Sequence, residues 1–295
     1  MCHIVNKSVC AVVVTYHPPV EFVEHIQVLA TQVNAIIIVD NCSPPSGRVI
    51  IEESATDDRV TVIYNRDNLG IASALNAGIR FAKEQGYEWI GTFDQDSRIT
   101  SGYVRTMLDT YYSYDDNARV AILSPQYRDH KSGRMIVAGN YSDESLSKTV
   151  FTTMTSGNIV KADVFDSVGY FNEDLFVDYV DHEFCLRLAC AGYFVLQVNG
   201  AILDHSLGDP TEHVVLRKSI IVTNHAPYRR YYNSRNRIYL YKRYVLVFPA
   251  WVVSDACNLS KEIIKIFLFE RDRKHKAAKI IKGIVDGLLG KMGKL

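Results

Sequence analysis

Four short β-branched runs divide the first hundred residues and set the fold class. They are Val9–Thr15, Ala35–Asp40, Val60–Tyr64 and Trp89–Phe93, and the stretches Val20–Val33 and Ile71–Gln85 between them carry helical spacing. Strands that are apolar along almost their whole length have no polar face to show to water. They belong in a sheet covered by helices on both sides, which favours parallel pairing. The expected class is α/β: a mostly parallel sheet flanked by helices, with a C-terminal helical extension. In such sheets a ligand sits beyond the carboxyl ends of the strands. Those ends read Thr15-Tyr16, Asp40-Asn41 with Ser43, Asn65 with Asn68 and Gly70, and Asp94-Gln95-Asp96. Polar turns also end strands where no ligand binds, so the concentration of Asp and Asn is the more informative feature. No Gly-x-Gly-x-x-Gly and no Gly-x-x-x-x-Gly-Lys-Ser/Thr occurs, which removes the main support for dinucleotide and P-loop readings.

The second half is less regular. Ser101–Tyr112 reads as a helix, Val120–Leu123 as a short strand and Arg128–Ser147 as a loop or hairpin. A short helix is expected around Asp163–Val168, a longer one over Asp181–Ala191, and a strand over Tyr193–Val198. The 295 residues are 47% hydrophobic and 22% charged, which excludes a disordered, collagen-like or coiled-coil chain. Zero net charge argues against a nucleic-acid partner. The six cysteines form no Cys-x-x-Cys pair, no export signal is apparent, and no apolar run reaches the ~20 residues of a spanning helix. Free thiols in a reducing, cytoplasmic setting are expected.

Neutrality conceals an asymmetry. From Lys261 onward there are ten Lys/Arg against four Asp/Glu, so the tail is +6 and the remainder −6. Ile263, Ile264, Phe267 and Leu268, then Ile280, Ile281, Ile284, Val285, Leu288 and Leu289, recur at helical spacing beside lysines. Such a stripe either lies in an anionic membrane surface or closes on the main domain. The expected organisation is a domain over 1–240 and an amphipathic basic tail over 241–295, with a peripheral position on the inner face of the cell membrane.

Four groups of residues have chemistry to offer. Asp94 and Asp96, just past a strand, can converge on one hard divalent cation. Asp181 opens a helix, as a cap or as an ionised base, and Glu183 and Arg187 stand four apart to brace that helix. His205 is a lone histidine after a strand, either satisfied in place or a third ligand. Arg235 and Arg237 lie on a basic helix face that is either solvated or able to clamp a phosphate.

Taken together and in order, these features resemble the family 2 glycosyltransferases. The similarity covers about residues 8–240 and rests on Val14-Thr-Tyr16, Val39-Asp-Asn-Cys-Ser43 and Asn68-Leu-Gly70 through Gly78. It continues in Phe93-Asp-Gln-Asp-Ser97, Thr155-Ser-Gly157, Asp178-Tyr-Val-Asp181-His-Glu-Phe-Cys-Leu-Arg187 and Asp204-His-Ser-Leu-Gly-Asp209. Phe-Asp-Gln-Asp-Ser with His-Ser-Leu-Gly-Asp is most similar to bacterial rhamnosyltransferases of surface polysaccharide. The resemblance implies a GT-A-type, Rossmann-like fold. It implies a nucleotide seat at Thr15, Tyr16, Asp40, Asn65, Asn68, Gly70, Asp94 and Gln95, with Asp40 accepting from a pyrimidine N–H. It implies Mg²⁺ or Mn²⁺ on Asp94, Asp96 and His205, Asp181 as the base, and Gly157 and Asp178 near the sugars. The family's Gln-x-x-Arg-Trp motif is absent, and Arg235 is the expected substitute for its phosphate contact.

The implied activity is inverting, metal-dependent transfer of a sugar, L-rhamnose from dTDP-rhamnose. The acceptor is a glycan or a polyprenyl-diphosphate-linked glycan in O-antigen or capsule synthesis. The alternatives are a UDP-hexose donor, for example for galactosyl transfer, and a nucleotide-sugar-binding protein without turnover.

Overall fold

The computed structural model describes residues 8–129, 133, 135–136, 145–205, 211–215 and 218–295. The chain forms two compact units, Met1–Glu173 with Val180–Ser206, and Asp174–Tyr179 with Leu207–Leu295. The boundary expected at residue 240 falls inside a helix of the second unit.

The first unit runs β1 (Val9–Thr15), α1 (Phe22–Ala30), β2 (Ala35–Asp40), α2 (Pro45–Ser54), β3 (Val60–Tyr64), α3 (Ile71–Glu84) and β4 (Trp89–Asp94). It continues with β5 (Arg98–Ile99), α4 (Tyr103–Ser113), β6 (Val120–Asp129), β7 (Met135–Ile136), β8 (Ser147–Val150), β9 (Asn158–Lys161), α5 (Val164–Val168), α6 (Val180–Cys190) and β10 (Phe194–His205). The sheet order is β3-β2-β1-β4-β9-β6-β10-β5. The four strands foreseen in the first hundred residues are all parallel neighbours. The second half departs from that pattern, because β9 is antiparallel to both β4 and β6, and β5 and β8 run antiparallel to β10. β10 is longer than the expected Tyr193–Val198 because an irregularity between Gln197 and Ile202 lets the strand resume beyond the polar Asn199-Gly200. Helix α2 was not foreseen. Its start at Pro44-Pro45 reads as a loop in sequence, yet proline suits the first helical turn.

Alternation along β1 divides the core. Ala11 and Val13 face Phe22, Ile26, Ile51 and Met107 from α1, α2 and α4. Val12, on the other face, meets α3. That contact is close because α3 presents Ala72, Ala74, Gly78 and Ala82 to the sheet. A Cβ on Gly78 would lie 2.4 Å from Val12 Cγ1 and 3.1 Å from Val39 Cγ2.

In the second unit, β11 (Thr211–Val215) and β12 (Lys218–Val222) form a hairpin that precedes α7 (Pro227–Tyr244), α8 (Pro249–Phe269) and α9 (Arg273–Leu288). Helix α9 approaches α7 most closely at two glycines. A Cβ on Gly283 would meet Tyr231 O at 2.4 Å, and one on Gly287 would meet Arg235 O at 2.7 Å. Buried ion pairs bind the helices: Glu270 takes Arg230 and Lys276, each at 2.6 Å. The free cysteines divide by position: Cys10 and Cys185 are buried, and burial pushes both thiols up to about 12.

The close approach of α3 to β1 sets a test. Gly78→Ala should lower unfolding stability by about 1–3 kcal/mol, the usual cost of overpacking a filled core. An unchanged urea midpoint would show that α3 does not need this contact.

Candidate active site

Parallel register brings the nominated strand ends to one edge. Thr15 pairs with Asp40, Asp40 with Tyr64, and Val14 with Asp94. Asp40 is 0% exposed. Both of its carboxylate oxygens accept from Ser43 N at 3.1 Å, and Oδ1 also accepts from the Thr15 hydroxyl at 3.2 Å. These contacts leave the expected acceptance from a pyrimidine N–H to the remaining lone pairs of the carboxylate. The carboxylate joins the end of β1 to the loop entering α2 and is covered by that loop.

The next residue, Asn41, organises the neighbouring loop, a role that sequence reasoning missed. Its amide nitrogen donates to Asn68 Oδ1 and Gly70 O, each at 3.1 Å. Its amide oxygen accepts from Leu69 N at 3.0 Å and from Asn65 Nδ2 at 3.2 Å. Two donors and two acceptor positions are the full capacity of the side chain. Asn65, Asn68 and Gly70 are thus gathered around one buried amide. Gly70 has φ +86° at the entry to α3, a conformation that favours glycine. The available signal was its place directly after Asp40 at a strand end.

Gln95 joins a second pair of strand ends. Its side chain accepts from Tyr16 N at 2.8 Å and donates to His17 O at 3.4 Å. Its carbonyl lies 3.2 Å from His25 Nδ1. Burial is the main cause holding the His25 pKa below its ordinary value. The neutral ring can then serve as a donor to that carbonyl. The exposed Tyr16 ring stands edge-on to His17, with centroids 4.3 Å apart.

The Asp94–Asp96 turn is held from beneath by Ser156. The Ser156 hydroxyl accepts from Asp94 N at 3.0 Å and shares a hydrogen bond with the Ser97 hydroxyl at 2.5 Å. Gly157 follows with φ +84° and donates its N–H to Thr92 O at 2.7 Å. A Cβ there would meet the Tyr103 hydroxyl at 2.7 Å and Leu203 Cδ2 at 2.8 Å, so only glycine fits. Asp94 and Asp96 are both half-buried. Among the described residues no three His, Cys, Asp or Glu side chains form a metal-sized cluster. The His205 side chain lies outside the described residues. Its strand, however, ends beside this turn: Asp204 pairs with Arg98, two residues after Asp96. Asp204 itself is engaged by Arg128 through two bonds of 2.5 and 2.8 Å.

Asp181 sits in the first turn of α6, half-buried, and accepts from His182 N at 2.8 Å. Its charge adds to burial in raising the pKa of Tyr127. The brace foreseen between Glu183 and Arg187 is present, with bonds of 3.1 and 2.9 Å. Arg187 also donates to the carbonyls of Val168 and Tyr170. With Glu183 engaged in this way, Asp181 is the carboxylate of that turn without an arginine partner in these contacts.

Two nominated residues belong to the second unit. Asp178, at φ +60°, is held by Arg229 at 2.9–3.3 Å. Arg235 is 1% exposed, and its guanidinium donates to Asn236 Oδ1 and to the carbonyls of Gly293, Asp174 and Leu175. The Arg235 guanidinium, the expected phosphate contact, is here engaged within its own unit. A buried guanidinium needs its donors met within the protein, and backbone carbonyls meet them.

A mixed α/β sheet whose first four strands are parallel, with asparagines and paired acids at their ends, is the frame of a GT-A-type transferase. The family described as Glycosyl transferase family 2 matches residues 10–176. The dTDP-rhamnosyl transferase RfbF of Shigella flexneri is 30% identical over 253 residues, 81% of each chain. Among solved structures, S. aureus TarS aligns with a TM-score of 0.54 at 15% identity over 97% of this chain. The chain spans about half (49%) of that TarS chain. The mannosyltransferase PcManGT from Pyrobaculum calidifontis, in complex with GDP-Man and Mn²⁺, aligns with a TM-score of 0.54 at 14% identity. That alignment covers 96% of this chain and 87% of PcManGT. The chain belongs to glycosyltransferase family 2 and is a glycosyltransferase.

The position of Asp40 generates a prediction. Asp40→Ala leaves the Ser43 N–H and the Thr15 hydroxyl without their acceptor. It should lower stability by about 1–3 kcal/mol, the cost of an unsatisfied buried polar group. Chemical denaturation followed by circular dichroism checks this. Full stability combined with lost nucleotide binding would assign Asp40 to the base rather than to the loop.

Proposed function

We propose that the protein transfers L-rhamnose from dTDP-rhamnose, with inversion, to a glycan or lipid-linked glycan in O-antigen or capsule synthesis. The observation that carries this reading is the 30% identity to a dTDP-rhamnosyl transferase over 81% of both chains. The strand-end geometry supports it. Tyr16 and Gln95, with Asn65, Asn68 and Gly70 around Asn41, form a preorganised polar edge suited to a nucleotide.

Two half-buried carboxylates, Asp94 and Asp96, offer hard oxygen donors that fit Mg²⁺ or Mn²⁺. His205 on the adjoining strand is the proposed third ligand. A cation held there supplies positive charge for a diphosphate group. Asp181 takes the proton from the acceptor hydroxyl as that oxygen bonds to the anomeric carbon. The bond from that carbon to the diphosphate breaks, its electron pair leaves with dTDP, and one displacement inverts the configuration. Glu183 and Arg187 keep the first turn of α6 rigid, which maintains the base in position.

Purified protein offered dTDP-rhamnose and a set of UDP-hexoses, with and without Mn²⁺, tests the donor. Hydrolysis of dTDP-rhamnose above all others is expected, and preference for a UDP-hexose would replace the sugar while keeping the family. Asp181→Asn should keep donor binding and lose turnover by about 10²–10⁴-fold, the usual contribution of a positioned base. Full activity in that variant would remove Asp181 from the mechanism. Calorimetry of Asp96→Ala should show weaker, metal-insensitive donor binding.

The proposal extends to a cytoplasmic protein resting on the inner face of the cell membrane. No helix of the described residues is long and apolar enough to cross one. Because α9 uses Gly283 and Gly287 against α7, it leaves Ile281, Val285, Leu288 and Leu289 exposed. Helix α8 likewise exposes Ile264, Phe267 and Leu268, and the turn before it exposes Leu246 at 93%. With a tail charge of +6, this pattern suits an anionic lipid surface. The full chain should float with phosphatidylglycerol-containing vesicles, and Leu246→Ser with Phe267→Ser and Leu268→Ser should release it while leaving donor hydrolysis unchanged. Equal flotation of the variant would refute the membrane face. Truncation at Lys261 is a poor test, because Gly293 N and Leu295 N bond Asp174 O and the Tyr232 hydroxyl within the second unit.

A further inference from the structure

A groove of about 510 Å³ opens on the first unit, at the opposite end of the sheet from the Asp94 turn. Trp89, the first residue of β4, lies in it and pairs in register with Lys161 of β9, which also lines it. Five residue steps along β4 separate Trp89 from Asp94, about 17 Å of extended chain. The groove is therefore distinct from the nucleotide edge. Its volume is within the range of small-molecule sites.

Four aromatic and five charged residues line it, and the buried rings of Trp89 and Tyr111 back the more open ones. Trp89 and Tyr111 meet edge to face with centroids 4.8 Å apart, and Tyr111 meets Tyr112 in the same way at 4.9 Å. Tyr112 is 43% exposed and Tyr87 half-buried, so both have ring surface to offer a ligand. Polar groups stand beside these rings. Lys161 Nζ lies 5.7 Å from the centre of the Tyr111 ring and 3.7 Å from Asp163. Lys83 is bonded to Asp166.

Charge decides the class of ligand. Lys83 and Lys161 stand against Glu88, Asp163 and Asp166, so the lining is net −1. Both ammonium groups already have carboxylate partners, and the lining as a whole does not favour a phosphate. The Tyr112 face, held edge to face by Tyr111, stands with Tyr87 beside paired ammonium and carboxylate groups, which suits an uncharged polyhydroxylated ring with apolar C–H faces and a hydroxyl rim.

We propose that this groove is a second saccharide site, holding a pyranose of the glycan chain away from the transfer centre. The proposal rests on the reading that the enzyme acts on a glycan. A chain held there raises the effective concentration of its free end at the reactive edge, so longer acceptors bind better than short ones.

The test uses the full chain, saturated with dTDP, and a linear rhamnose trisaccharide followed by saturation-transfer NMR. Binding at millimolar concentration is expected. Tyr112→Ala should weaken it about fivefold, the scale of one lost aromatic contact. Slow hydrolysis of dTDP-rhamnose should stay at the wild-type rate in that variant. Tyr87→Ala serves as the second variant should Tyr112→Ala unfold. No binding by the wild type, or equal binding by the wild type and the folded variants, overturns the groove. The two readings fail separately. Trisaccharide binding that depends on Tyr112, without dTDP-rhamnose hydrolysis, would sink the donor assignment alone. Hydrolysis with no such binding would sink the groove alone.

Discussion

The register of β1 against its two parallel neighbours is the constraint on which the site depends. Because Thr15 lies opposite Asp40, and Val14 opposite Asp94, loops far apart in sequence leave the sheet at one edge. A one-residue slip would exchange the residues that pack on the two helical layers, so that Val12 no longer meets Gly78. Register is therefore enforced by close packing on both faces of this fully buried strand. The edge then needs only short polar links. Asp40 holds Thr15 to the α2 loop, Asn41 holds the 65–70 loop, and Gln95 holds the exit of β1 to the exit of β4. The Asp40 and Asn41 links are buried or half-buried, where a hydrogen bond is stronger and its loss costlier than in water.

The second unit uses a different strategy. Its α7 is rich in arginine and tyrosine, and most of those side chains are buried. Arg235 and Asn236 donate to the carbonyls of Asp174, Leu175, Val177 and Asp178, while Arg229 holds the Asp178 carboxylate. This matters because Phe176, Asp178 and Tyr179 all have φ near +60°. Non-glycine residues resist that conformation, and it persists only where the surroundings determine it. The same unit closes α9 onto α7 with two glycines one helical turn apart and leaves Ile281, Val285 and Leu288 outward.

Much of the first unit was legible because its signals are local. β1, β2 and β3 fall on the expected residues, since a run of valine and isoleucine has few other places to go. The acids at the end of β4 and the Glu183–Arg187 brace were legible for the same reason, since short spacing and helical periodicity define them. Helix α2 was hidden behind two prolines. The antiparallel course of β9 had no sequence mark, because pairing direction depends on which strand a segment meets.

Sequence alone determined the α/β class, the polar strand ends and the family to which the chain belongs, because each follows from residue type and spacing along one stretch. Only the tertiary structure decided what Asp40, Asn41 and Arg235 do. Their roles depend on partners 3 to 61 positions away, brought near by sheet register and helix packing. Burial settled each case. A carboxylate, an amide and a guanidinium removed from water must find their partners inside the protein, and which partners lie within reach is a property of the fold.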